Sequence, residues 1–237
     1  MSIVASIIKK EMKSYFTSSV AYVILALFIV INGFIFFNFL SAFNLKIMQF
    51  LQVKAQNPQL GLEISMNEWI ISPLLSNISI ILLLLIPAIS MRLISEEKRQ
   101  GTMELLMTSP ISTFQILMGK YLSCLIFYAI MLISSLQFPI FLKIFGNPDV
   151  APAVFGYVML FLLGAAFISV GLLASSLTEN QIISASLSFA ILLFFWLIGW
   201  TGNNVGGKIG EIISYFSLYM HFDNALKGVL DSKDIIY

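Results

Sequence analysis

Five apolar runs, at about 20–40, 70–91, 114–142, 154–177 and 182–200, decide what this chain can become. Each matches the roughly 20 helical residues that cross the ~30 Å hydrocarbon layer of a bilayer. Hydrocarbon offers no hydrogen bonds, so each run must satisfy its backbone within itself, which means a helix. No stretch shows the alternation of a membrane β-barrel. The remaining composition agrees, since 59% of the 237 residues are hydrophobic and only 11% are charged. A soluble domain carries about twice that charged fraction. The expected fold is an all-α polytopic membrane protein, a single domain over 1–237.

The segments between the runs carry the remaining information. Residues 1–19 place Val4, Ile8, Met12 and Tyr15 at helical spacing, with Ile3, Ile7 and Phe16 beside them and Lys9, Lys10 and Lys13 elsewhere. That pattern predicts an amphipathic helix at the membrane surface with its lysines among headgroups. Segment 41–69 is mixed and polar. Thr178, Glu179, Asn180 and Gln181 form a tight hairpin between the fourth and fifth runs, and Thr178 and Gln181 have the spacing of a capping box. The tail, 201–237, is glycine-rich and only intermittently apolar, which suits interfacial or re-entrant helices on the outer side.

Charge placement sets the orientation. With the N-terminus inside, Lys9, Lys10, Lys13, Arg92, Lys98, Arg99 and Lys120 lie on the inner side, in short segments. Lys46, Lys54, Lys143, Lys208, Lys227 and Lys233 lie outside in longer ones. The denser positive side favours a cytoplasmic N-terminus. Lys120, near the start of the third run, is expected to snorkel to the interface.

Catalytic patterns are missing. One histidine (His221) and one cysteine (Cys124) leave no disulfide framework and no multi-ligand site built from those residues. Neither a phosphate-cradling G-x-x-x-x-G-K-[ST] loop nor a nucleophile elbow is present. Cys124 reads as a small packing residue. A net charge of +1 gives no reason to expect nucleic acid. The spans hold almost no charge, which disfavours a proton relay. In the fourth run Gly164 and Gly171, seven residues apart, share a helix face that admits close packing, within the chain or against a second subunit.

The densest signal is segment 92–113. It is charged through Glu96, Glu97, Lys98 and Arg99, turns at Gly101, and then runs as a short helix with Met103, Leu106 and Met107 on one ridge, stopped by Pro110. A helix parallel to the membrane with an apolar ridge is suited to a partner's groove.

Glu96 through Pro110 (E-E-K-R-Q-G-T-M-E-L-L-M-T-S-P) resembles the E-E-K-x-x-G-T-x-E-L-L-x-T-x-P signature of ATP-binding-cassette permeases of the export type. The likeness extends over Pro87–Arg92, Gly119–Tyr121, Gly164–Ala166, Ala174–Gln181, and Lys9-Lys10-Glu11 with Tyr15-Phe16. Gliding-motility-associated GldF-like permeases are nearest in pattern, NosY-like ones next.

This resemblance implies a non-enzymatic transmembrane subunit that binds no cofactor itself. ATP-Mg would sit on a separate cytoplasmic ATPase, which would grip the coupling helix through Glu96, Glu97, Lys98, Arg99, Gly101, Thr102, Glu104, Leu105, Leu106, Met107 and Pro110. Thr178, Glu179, Asn180 and Gln181 would form a second cytoplasmic contact. A second permease copy or homologue would complete the transporter in a bacterial inner membrane, exporting or moving a cargo the sequence does not identify. The alternative is a non-transporting anchor that recruits an ATPase for an envelope or gliding machine. The family has six spans, so a chain ending at Tyr237 is expected to be a truncated form. Ser18-Ser19 stands where the family has Ser-Pro.

Overall fold

The computed structural model describes residues 3–56, 65–108, 110–146 and 148–204, with Ser217, Phe222 and Leu226. Over these the chain is helical, without strands: α1 (Ile3–Thr17), α2 (Ser19–Gln56), a π-helical turn (Asn67–Ile71), α3 (Ser72–Ser90), α4 (Ser95–Arg99), α5 (Thr102–Thr108), α6 (Thr113–Ser135), α7 (Gln137–Phe145), α8 (Val150–Leu177) and α9 (Gln181–Asn204). Five helical stretches are long and apolar enough to cross a membrane. Beyond those three residues, the interfacial or re-entrant helices expected in the tail, and any sixth span, lie outside the described residues.

The first spanning helix outruns its apolar run. Segment 41–69 reads as polar connection, yet α2 continues for 38 residues to Gln56. At 1.5 Å per residue this is about 57 Å, longer than the 40–45 Å of bilayer and headgroups together. Residues 41–56 contain no proline or glycine, so nothing in their backbone stops the helix. The polar interruptions are absorbed locally. Asn32 Nδ2 donates to Phe28 O at 2.7 Å and Asn38 Nδ2 to Phe34 O at 2.8 Å, one turn back in each case.

The core lies where α3 meets α8, with α2, α6 and α9 around them. Leu74, Ile78, Leu82 and Ile86 repeat every four residues on α3, and all are buried. Phe127, Tyr128 and Met131 of α6 and Leu160, Phe167 and Ile168 of α8 complete it. Cys124 is buried within the same cluster.

The third apolar run is two helices. Pro139 has no N–H for the carbonyl of Ser135, and its ring crowds that carbonyl. The helix breaks at Leu136, and Tyr157 Oη of α8 donates to the freed Ser135 O at 3.1 Å.

Glycines set the approach of α8. A Cβ on Gly164 would strike the Tyr128 ring, and one on Gly171 would meet Ser90, with Ser90 Cβ only 2.6 Å away. Gly156 faces a methyl of Leu75, the movable end of a side chain. Gly164→Ala and Gly171→Ala are therefore expected to destabilise by about 1–3 kcal/mol through overpacking. Gly156→Ala should be near neutral, because rotation of Leu75 and a helix-propensity gain of up to ~1 kcal/mol offset the contact. Thermal unfolding of the three variants in detergent checks the order, and a Gly156 variant as unstable as the others contradicts it.

Candidate functional site

The charged segment after α3 is built as a rigid step. Leaving α3 at Ser90, the chain turns through 91–94, forms α4, reverses at Gly101 and enters α5. Gly101 has φ +68°, left-handed backbone that a side chain strains. Just past α4, it is the usual helix-ending glycine. Gln100 N and Gly101 N close the last turn onto Glu96 O and Lys98 O at 3.0 and 3.1 Å. Thr102 Oγ1 donates to Glu97 O at 3.3 Å across that bend.

Beneath α4 lies a buried charge cluster. Lys120, two turns into α6, meets Glu97 Oε2 of α4 at 3.0 Å and Glu11 Oε1 of α1 at 3.0 Å. The Glu97 contact is an ion pair off the axis of a hydrogen bond. Lys10 of α1 reaches the other Glu97 oxygen at 3.4 Å. Lys120 is only 3% exposed and Glu97 11%, whereas Lys10 is 68% exposed. Lys120 therefore does not snorkel as its position suggests: two carboxylates compensate its burial, with α1 packed over it. Gly119 makes room for that packing, since a Cβ there would lie 2.7 Å from Ile7 Cγ2. Arg92, Glu96, Glu11 and Tyr15 line a crevice beside the cluster. Tyr15 Oη donates to Ile89 O at 3.3 Å. Burial above all holds its phenol well above the usual range, so it remains a neutral donor.

Ser175 of α8 ties the step to the bundle from the other side. Its Oγ accepts from Ile94 N and Ser95 N, each at 3.0 Å, and donates to Met91 O at 3.0 Å. Lys98 Nζ donates to Ser176 O at 2.6 Å. Three helices thus hold α4: α1 and α6 by charge, α8 by hydrogen bonds.

The two segments that the sequence singled out share one end of the bundle. Among the charged residues, Glu97 turns inward, Glu96 and Lys98 are half-buried, and Arg99 and Glu104 are exposed. Thr102 is half-buried and Pro110 exposed. Leu105, Leu106 and Met107 fall within α5, but their side chains lie outside the described residues. Glu179 and Asn180 are exposed at the hairpin tip, Thr178 and Gln181 half-buried. The capping box expected of Thr178 and Gln181 does not form. Helix α9 begins at Gln181, so Asn180 is the cap, with its Oδ1 accepting from Ile182 N at 2.9 Å. Thr178 Oγ1 accepts from Asn180 N at 3.1 Å instead. A capping box does form at Ser112 and Gln115, opening α6.

Two residues of this site escape a sequence reading, Lys120 as a structural cation and Ser175 as a three-bond clamp. Lys120 did carry a signal, being a cation inside an apolar run with Glu11 and Glu97 as candidate partners. Ser175 stood in the Ala174–Gln181 likeness, but nothing in the sequence marked it as a clamp. Gly164 and Gly171, marked as a close-packing face, lie against Tyr128 and Ser90 of the same chain. Among the described residues, no cluster of histidine, cysteine or carboxylates could hold a metal ion.

No curated protein and no solved structure matches the chain. A family model does, that of the ABC-2 family transporter protein, over residues 5–235. The match takes in α1, the charged step, the clamp on α8 and the hairpin together. The chain belongs to the ABC-2 transporter family and is a multi-pass membrane permease subunit.

Proposed function

We propose that this permease converts ATP hydrolysis by a separate cytoplasmic ATPase into helix movement through the α4–α5 step. What carries the reading is the Lys120 cluster with the Ser175 clamp. Together they make a short exposed segment rigid with three helices, so a push on α5 is transmitted to the bundle and not absorbed by a loop. Exposed Arg99 and Glu104 supply charge to the docking surface, the apolar residues Leu105, Leu106 and Met107 the contact, and the 178–181 hairpin a second foot. Glu97 acts from within, as a positioning residue.

The N-terminus and this end of the bundle then face the cytosol, ATP-Mg is bound by the ATPase, and a second permease copy or homologue completes the pair in a bacterial inner membrane. Alternation between two packings of the bundle moves the cargo. The likeness of 96–110 to GldF-like and NosY-like permeases of the export type supports export or movement of a cargo.

Reversal of the exposed charges, Arg99→Glu with Glu104→Lys, tests this. Both side chains point away from the core, so membrane insertion and thermal stability should stay unchanged. Co-purification of the ATPase should fall roughly tenfold or more, the loss of one or two charged docking contacts. Undiminished ATPase binding would remove α4–α5 as the docking site. ATP-dependent movement of hydrophobic cargo by the complex in liposomes separates a transporter from an anchor.

A further inference from the structure

At the far end of the bundle the structure holds an apolar groove of about 500 Å³ between α6–α7 and α8, within the range of small-molecule sites. Leu132, Leu136, Ile140, Ala153, Val158 and Phe161 are among its walls. Two charged residues line it, Lys143 in the last turn of α7 and Asp149 ahead of α8. Both are exposed, and among the described residues no ion pair joins them or engages either side chain. Asp149 stands at the cap position of α8, yet its carboxylate makes no capping hydrogen bond.

Depth fixes the surroundings of this groove. Lys143 lies 23 residues beyond Lys120 along the α6–α7 path, about 35 Å at helical rise. That is close to the ~30 Å hydrocarbon thickness. With the Lys120 cluster near one interface, Lys143 and Asp149 sit near the other, and the groove walls run down from them inside the hydrocarbon. Both walls belong to helices apolar enough to span a membrane.

We propose that this groove is a binding site for a zwitterionic, amine-bearing phospholipid of the phosphatidylethanolamine type. One acyl chain fills the apolar cleft, the phosphate meets Lys143, and the primary ammonium donates to Asp149. Charge complementarity selects this occupant. An anionic lipid would satisfy Lys143 but set its charge against Asp149, and a choline headgroup offers no N–H to the carboxylate. The site faces lipid and does not depend on ATP-driven transport.

The test uses the full chain in phosphatidylcholine nanodiscs doped with phosphatidylethanolamine carrying a diazirine in its acyl chain, with cross-links mapped by mass spectrometry. Labelling should concentrate on 132–158 over the lipid-exposed face of α2 around Val30, Phe34 and Phe37. Lys143→Gln and Asp149→Asn should each lower it roughly tenfold, the worth of one charge-assisted contact. Val154→Trp, at an exposed position on the groove wall, should abolish it while leaving the elution profile unchanged. A diazirine-bearing phosphatidylglycerol should label weakly and gain labelling in Asp149→Asn, where the repelling carboxylate is gone. Labelling no stronger than on α2, or equal for both lipids, overturns the proposal. So does a groove that cross-links to residues 205–237 or to a second copy and excludes lipid, because the occupant is then protein.

Discussion

Lys120→Met should destabilise the protein by about 3–5 kcal/mol, the cost of removing one partner from a buried ion cluster. The methionine fits the volume, but Glu97, 11% exposed, and Glu11, 16% exposed, would be left without the cation between them. Lys10 reaches only one oxygen of Glu97, from the water side. Removing the Glu97 charge as well should recover much of the loss, since Glu11 can turn toward solvent. Lys120→Met/Glu97→Met is therefore expected to be more stable than the single variant, with a coupling energy of about 1–3 kcal/mol. Unfolding midpoints of the wild type, the two single variants and the double variant in one detergent close the cycle. Additive losses would mean that the cluster is an incidental contact.

That cluster marks how far the sequence could be read. Hydrocarbon forces helices, and five apolar runs therefore gave five spanning helices near their expected places. Local signals did less well where a competing local rule or a tertiary partner intervened. Helix α2 ran past Leu40 because polarity alone does not end a helix that meets no proline or glycine. The third run broke at Leu136 because of Pro139, and what makes the break tolerable, Tyr157 on another helix, is invisible in a linear pattern. Asn180 displaced Thr178 as the cap because a nearer side chain reached the free N–H of Ile182. Of the candidate site, the exposed charges and Gly101 were legible as a segment. Its rigidity was not, since it arises from Glu11, Lys120 and Ser175, which lie far away in the chain.

Ser175 gives the second large effect, and it separates rigidity from charge. In Ser175→Ala, the buried N–H groups of Ile94 and Ser95 lose their acceptor and the half-buried Met91 O loses a donor. Each stranded N–H costs roughly 1–3 kcal/mol unless water enters. Alanine leaves too little space for a bridging water, because Ser90 and Gly171 already pack one turn below. The turn at 91–94 should therefore loosen from α8 while the Lys120 cluster still holds α4. If the step works as a lever, the variant keeps its ATPase, because Arg99 and Glu104 are untouched, but cargo movement per ATP falls severalfold. Hydrogen exchange should show faster opening at 94–95, with the α3–α8 core protected as before. Ser175→Thr keeps the hydroxyl and should restore the amide protection, provided its extra methyl is accommodated. Loosened amides with undiminished cargo movement would mean that force enters the bundle elsewhere, through α1 or the 178–181 hairpin.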